Sequence, residues 1–276
     1  MKNRTWFITG ISSGLGKALA QTVIEYGDFV IGTFRSQEQA DIFNNQYKDK
    51  AFALTLDIAK SNEIEIAVKL VKEKFGSIDV LVNNAGFGFA GAIEETSIEE
   101  TREIFEANFF GTLNLTQSFL PFFRKQRSGH IIQISSHGGF KAFPGFGIYN
   151  ASKFAVEGFS EALAIEVAPL GIHLTIVEPG PFRTNFAGSA FRQAEKIIED
   201  YNETAGAFRE RMQHVDGKQE GDPYKASHAI VDISKLDKPP LRLPLGKIAI
   251  VSLTTKLESV QNDINAYKDI AESVVF

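Results

Sequence analysis

The sequence predicts an α/β fold in which one parallel sheet is flanked by helices. Three features of the 276-residue chain carry that expectation. Short apolar runs alternate with longer stretches of helical period, the order that parallel strands joined by crossover helices require. The first such run, Thr5 to Thr9, opens directly into a glycine turn and then a helix. No Pro-, Gly- or Ser-rich linker divides the chain, whose length suits one large α/β domain although it would also permit two smaller ones.

Composition narrows the classes of function. Hydrophobic residues at 43% and charged residues at 23% describe an ordinary globular protein with a sizeable core. A net charge of −5 without any Lys/Arg run builds no electropositive surface, which argues against a nucleic-acid partner. There is no cysteine, hence no disulfide, thiol chemistry or thiolate metal site, and the 5 histidines are scattered, so no metal site is expected. Met1 to Arg4 before Trp6-Phe7-Ile8 begins like a signal peptide, but the apolar run stops at Thr9-Gly10. No apolar stretch approaches the roughly 18 residues of a membrane span, so a cytoplasmic protein without membrane contact is expected.

The elements follow in order. Gly10, Gly14 and Gly16 form a Gly-x-x-x-Gly-x-Gly turn between the first strand and a helix from about Leu15 to Tyr26. Glycines let the backbone approach a pyrophosphate, and the N–H groups and positive dipole end of the helix favour the anion. Phe29 to Thr33 is the second strand. Near its end, where NAD preference calls for an acid, stands Arg35, which cannot accept a bond from a ribose 2′-hydroxyl but can pair with a 2′-phosphate, so NADP is expected over NAD. Ala51 to Leu56 is the third strand, closed by Asp57 and Ile58, a carboxylate and a backbone amide placed to meet an adenine ring. A helix over Ser61 to Phe75, with Ser61 as its N-cap, leads to a fourth strand, Ile78 to Val82. That strand ends in Asn83-Asn84-Ala85-Gly86, residues that shape the floor of a ligand crevice or hold their own turn.

One long helix is expected from Ile98 to Phe123. Asn108 sits inside its apolar zone and marks a bound water or a kink. Gly129 to Ser135 is the fifth strand, and a Gly/Phe-rich loop leads to a helix from Tyr149 to Pro169. That helix is apolar over most of its circumference, which predicts a homodimer or homotetramer covering its outer face. Ile172 to Val177 is the sixth strand. The polar stretch of about 181–221 that follows, with one helical piece near Phe191 to Tyr201, is placed where substrate lids belong. A helix from Asp222 to Lys235 and a short edge strand at Leu241 to Leu243 complete the pattern.

Chemistry concentrates in Ser136, Tyr149 and Lys153. Positions i and i+4 share a helix face, so the Lys153 ammonium lies beside the Tyr149 phenol. A phenol titrates near a pKa of about 10, and a neighbouring cation lowers it toward the range useful for proton transfer. The Ser136 hydroxyl can hold a substrate oxygen within reach. His130 and His137 are poorer candidates for a direct role.

Taken together, Thr9-Gly10-Ile11-Ser12-Ser13-Gly14-Leu15-Gly16, Asn83-Asn84-Ala85-Gly86, Ser136, Tyr149, Lys153 and Pro179-Gly180 resemble the short-chain dehydrogenase/reductase family, over nearly the whole chain. The resemblance implies a single NAD(P)-binding domain over residues 1–276: a Rossmann fold, doubly wound, whose seven-stranded parallel sheet carries helices on both faces. It implies reversible hydride transfer between a nicotinamide and a carbonyl or alcohol. Carried over position by position, Tyr149 is the acid/base, Ser136 the oxygen-binding hydroxyl, Lys153 the ribose contact that lowers the Tyr149 pKa, and Asn108 the holder of a relay water. The cofactor would lie along Gly10, Ser12, Ser13, Gly14, Leu15, Gly16, Arg35, Asp57, Ile58, Asn84, Ala85, Gly86, Tyr149, Lys153, Pro179, Gly180, Phe182 and Thr184. Some NADP-using members have a basic residue where this chain has Ser13, so Arg35 alone carries the NADP expectation. The Phe-rich loops, with Phe87, Phe89, Phe140, Phe143, Phe146, Phe182 and Phe186, suggest an apolar or aromatic carbonyl or alcohol substrate. The alternative from another class is a catalytically silent NADP-binding sensor or scaffold, against which the intact Ser/Tyr/Lys set argues.

Overall fold

In a computed structural model, residues 3–186, 188 and 191–276 are described. Met1 and Lys2, and positions 187, 189 and 190 inside the expected lid, lie outside the described residues. Seven strands form one parallel sheet: β1 (Thr5–Ile8), β2 (Phe29–Phe34), β3 (Ala51–Thr55), β4 (Val80–Asn83), β6 (Gly129–Ile134), β7 (Ile172–Pro179) and β9 (Arg242–Leu245). They lie in the order β3-β2-β1-β4-β6-β7-β9. Gly88–Ala90 (β5) and Phe191–Gln193 (β8) form a separate parallel pair.

The sheet is buried on both faces, so its strands are apolar at successive positions. Trp6 and Ile8 point into one core layer, with Leu19 and Val23 of α1 (Gly14–Glu25), Ala40 of α2 (Gln37–Tyr47) and Ile230 of α8 (Pro223–Ile233). Phe7, between them, points into the other. That layer is closed by Ile64 and Val71 of α3 (Ser61–Phe75), Phe119 and Phe123 of α5 (Gly111–Gln126), and Leu163 of α6 (Gly147–Val167). The doubly wound, seven-stranded Rossmann expectation is met. Strand order reverses at β1, whose neighbours are β2 and β4, and the crevice beyond the carboxyl ends of β1 and β4 is where open α/β sheets bind ligands.

Several element expectations need correction. The single helix from Ile98 to Phe123 is two, α4 (Ile98–Phe105) and α5, joined by a π-helical turn over Glu106–Phe110 that contains Asn108. The helical piece at Phe191 to Tyr201 is instead strand β8 and a short 3-10 turn at Glu199–Tyr201, followed by a π turn and α7 (Ala207–Val215). Its strand exists only because Gly88–Ala90, about a hundred positions earlier, supplies the pairing edge. Ser61 is the first residue of α3 rather than its cap; Lys60 takes the cap position, and the Asp57 N–H donates to the Glu63 carboxylate (2.7 Å). Helix α2 was not expected from its polar sequence. It is capped by Ser36 and held to β3 by Asn44, which exchanges hydrogen bonds of 2.7 and 3.0 Å with the Ala53 backbone. A C-terminal helix, α9 (Lys247–Glu272), was likewise missed.

Candidate active site

The glycine turn after β1 is fixed from two sides. Gly10 and Gly14 adopt φ of +69° and +59°, which side-chain-bearing residues avoid. Asn84 Nδ2 donates to the carbonyls of Thr9 (2.8 Å) and Gly10 (3.1 Å), while Thr9 Oγ1 accepts from the Asn84 and Ala85 N–H groups (2.9 Å each). The tip of β4 and the turn after β1 are thereby one unit. Asn83 is different: its Nδ2 donates to Thr116 and Gln133 in the core.

Helix α1 begins at this turn with Ser13 at its N-cap, without a side-chain cap and without an acid in its first turn. The contrast is α4, which has a full capping box from Ser97 and Glu100. Unsatisfied N–H groups at a helix start, with nothing negative beside them, are what a phosphate group needs. A Cβ on Gly14 would sit 3.4 Å from Thr184 Cβ, so Thr184 stands over the turn. Ser12 is exposed at its rim, whereas the Leu15 side chain packs on the core. Exposed Arg35 follows the last residue of β2 and, among the described residues, no hydrogen bond or ion pair engages it. Asp57 Oδ1 accepts from the Ala59 N–H (3.1 Å). The Ile58 side chain is in the core, so only its main chain is available to a ligand. Gly180 N–H donates to Leu245 O (2.9 Å), fixing the Pro179-Gly180 corner. The Phe182 ring fills the place a Cβ on Gly221 would take (2.7 Å) and lies in ordinary contact with Gly246. These residues fit a dinucleotide with its pyrophosphate at the start of α1.

Tyr149 and Lys153 are both buried on the same face of α6. Lys153 Nζ donates to Ile134 O (2.9 Å) and lies 3.8 Å from the position of a Cβ on Gly86. Ser136 is extended at the end of β6, where its Oγ accepts from the Gly138 N–H (3.0 Å). A Cβ on Gly138 would be 3.2 Å from that Oγ and 3.7 Å from Tyr149 Cε1, which puts hydroxyl and phenol ring around one point. Asn150, which sequence reasoning missed, fixes this geometry. Its Nδ2 donates to Gly138 O (2.7 Å) and its Oδ1 accepts from the Phe143 N–H (2.9 Å), tying the Ser136 loop to the first turn of α6. The available signal was a buried-helix Asn directly after the reactive Tyr. Asn108 is fully buried in its π turn; its amide bonds both backbone groups of Phe87 (3.0 Å each) and Ser152 Oγ (3.2 Å). A π-helical turn stands at Asn108, where the sequence marks a bound water or a kink, and the side-chain amide is spent on the Phe87 backbone and Ser152.

Electrostatics corrects one expectation. Burial raises the Tyr149 phenol well above its usual range, with Ser136 pulling it back; Lys153 does not bring it below the ordinary value. Burial lowers Lys153 to about 8, against an opposing pull from Glu157. His137 and His130 are held neutral: burial lowers His137 to about 4 and His130 to about 3, and their rings pair with Ser252 and Thr175 respectively.

Of the expected phenylalanines, Phe146 stacks on Tyr149 (centroids 4.1 Å apart) and Phe186 meets it edge-on (5.7 Å). Phe143 packs on the same cluster, joined by Phe191, Phe208 and Met212 from the 181–221 segment, which were not foreseen there. Phe87 and Phe89 belong to a neighbouring cluster, and Phe140 lies under the Arg242 guanidinium. The 181–221 segment is closed at its ends by Gly221 N–H to Pro181 O (3.2 Å) and Arg183 N–H to Gly221 O (2.8 Å). Glu95 holds its middle: it pairs with Arg209 (2.5 Å) and accepts the Ile198 N–H (3.0 Å) in a buried setting.

A doubly wound sheet with this turn and this Ser, Tyr and Lys around one crevice defines a nicotinamide-dependent oxidoreductase, and the chain belongs to the short-chain dehydrogenase/reductase family. Residues 4–195 match the family described as short chain dehydrogenase. The chain is 41% identical over 248 residues to oxidoreductase BOA17 of Botryotinia fuckeliana, covering 90% of each chain. It is 37% identical over 253 residues to a 3-ketodihydrosphingosine reductase of Bacteroides thetaiotaomicron, covering 91% of each. A solved short-chain dehydrogenase from Streptomyces avermitilis superposes with a TM-score of 0.94 at 42% identity over 100% of both chains. Other solved proteins of this fold are complexed with NAD in one case and NADP+ in another. No helix among the described residues is long and apolar enough to cross a membrane, and no group of His, Cys, Asp or Glu there could hold a metal ion.

Proposed function

We propose that this chain is an NADP-dependent carbonyl reductase or alcohol dehydrogenase acting on an apolar or aromatic small molecule, with Tyr149 as its acid/base. The observation that carries this reading is the buried Tyr149 phenol, held with Ser136 around one point, beside the crevice that ends at the bare start of α1. Bound along that crevice, the dinucleotide supplies the hydride that a carbonyl carbon accepts. Ser136 orients the substrate oxygen by hydrogen bonding, and Tyr149 donates its proton as charge develops there. Lys153, anchored on Ile134 O and facing Gly86, holds a positive charge at the floor where a ribose would lie.

Arg35 supports NADP, since a guanidinium without another partner matches a 2′-phosphate in charge and geometry. Phe146, Phe186, Phe191 and Phe208 around the phenol support an apolar substrate, as does the likeness to a reductase of a ketone named for a sphingoid base. Phe186 meets the Tyr149 ring edge-on, which supports reading the segment it belongs to as the lid of the site. The test follows NADPH consumption against a panel of apolar ketones and aldehydes, for the native chain and Arg35→Asp. The reading requires turnover with NADPH and a shift of kcat/KM toward NADH in the variant. Cofactor binding without turnover across the panel would favour the sensor reading, and an unchanged NADPH/NADH preference would remove Arg35 from the assignment.

A further inference from the structure

Helix α9 packs on the body only at its start, through Ala249, Ser252 and Leu253. From Thr254 to Glu272 nothing is buried, so about 28 Å of helix projects at 1.5 Å per residue. Free-standing helices of this length are marginal in water, and Thr254, Thr255, Ser259, Val260, Asn262 and Asn265 are weak helix formers. Something must cover the helix.

The pattern of apolar residues identifies the cover. Within the projecting part, Leu257, Val260, Ile264, Tyr267 and Ala271 recur at intervals of three, four, three and four, the heptad a/d spacing of a coiled coil. The stripe is laid open in the single chain, with Leu257 58%, Ile264 56% and Tyr267 63% exposed. The outer positions carry Thr255, Glu258, Ser259, Asn262, Asn265, Ala266, Asp269 and Glu272, polar apart from the small Ala266, while exposed Ile270 flanks the stripe. A lipid surface would be expected to meet a basic polar face, and this one is acidic or neutral.

We infer that α9 joins two copies of this chain, the Leu257–Ala271 stripe of one pairing with the same stripe of the other as a parallel, in-register coiled coil. Orientation follows from charge. With Leu257 and Ile264 at a, Asp263 falls at g and Lys268 at the next e, and parallel helices set each g against the e′ five positions on. Two symmetry-related Asp263–Lys268 pairs result, and the preceding pair, Lys256 with Gln261, carries no repulsion. Antiparallel helices join g to g and e to e, so no antiparallel register forms the Asp263–Lys268 pair.

The absence of cysteine makes the test direct. Ile264→Cys places one thiol on the axis of the proposed coil, and Asn262→Cys places one on its outer face. Under mild oxidation of the full-length protein, Ile264→Cys is expected to become a covalent dimer and Asn262→Cys to stay a single chain on a non-reducing gel. Light scattering of Leu257→Glu/Ile264→Glu is expected to give half the native mass, with the body still folded by thermal melting because these residues touch nothing in it. The inference is overturned by no cross-link at Ile264→Cys, by cross-linking as fast at Asn262→Cys, or by an unchanged mass in the double variant. Binding of α9 to phosphatidylserine vesicles without self-cross-linking would assign the stripe to a lipid surface instead.

Discussion

Gly16→Ala tests how the cofactor turn is built. A Cβ at this position would stand 2.3 Å from Asn84 Nδ2 and 2.4 Å from Gly10 O. Carbon contacts settle at about 3.5–4.0 Å, so the Asn84 amide must move by about 1 Å or more and release the Thr9 and Gly10 carbonyls. Two hydrogen bonds at about 0.5–1.5 kcal/mol each are lost, with about 1–3 kcal/mol more where a carbonyl is left without a partner. Replacing Gly by Ala inside a helix returns up to about 1 kcal/mol, which the clash outweighs. A net loss of about 2 kcal/mol should lower Tm by roughly 4–8 °C for a domain of this size. The same displacement carries the turn away from a pyrophosphate, so NADPH binding should weaken by about tenfold or more, equivalent to ~1.4 kcal/mol. Thermal melting and titration of NADPH fluorescence measure the two effects. A variant that melts at or above the native temperature with unchanged NADPH affinity would refute the reasoning.

Other perturbations have defined outcomes. Arg209→Met leaves the Glu95 carboxylate buried without its cation and should cost about 3–5 kcal/mol in urea unfolding, most of which Glu95→Gln in the same chain should restore. Burial pushes Glu95 up, but Arg209 and the Ile198 and Ala92 N–H groups hold it at about 2, so its contribution is present above the unfolded carboxylate range and fades as pH falls toward 2. Glu178 is the opposite case: burial, then the neighbouring Glu157 charge, raise it to about 7 despite Arg242. Its folded form binds a proton that the unfolded chain has released, so stability falls between about pH 4.5 and 7 by at most about 3 kcal/mol. Glu178→Gln should flatten that slope, measured as urea midpoints from pH 5 to pH 8, and a slope identical to the native one would contradict the assignment.

What was legible in the sequence was what local spacing fixes. The turn of Gly10, Gly14 and Gly16 is a property of one strand–helix junction, and Tyr149 and Lys153 are tied by the pitch of one helix. What tertiary contact creates was hidden. Strand β8 needs the distant edge of β5, and the polar helix α2 is kept in place by Asn44 on the Ala53 backbone. The rise of the Tyr149 pKa follows from burial that no spacing reveals, and Asn150 acquires its role only when the Gly138 loop folds over it. Arg242 gathers Glu157, Glu161 and Glu178 from an unrelated helix and strand.

Tyr149→Phe bears most directly on the proposed chemistry, because it removes one hydroxyl from a ring that Phe146 and Phe186 continue to hold. The decisive measurement is NADPH consumption with a carbonyl substrate by native and Tyr149→Phe protein, alongside NADPH affinity for both. Loss of turnover by about 10²- to 10⁴-fold, with NADPH affinity retained, is the expected result. Turnover equal to the native rate would show that the proton reaches the substrate oxygen from another group.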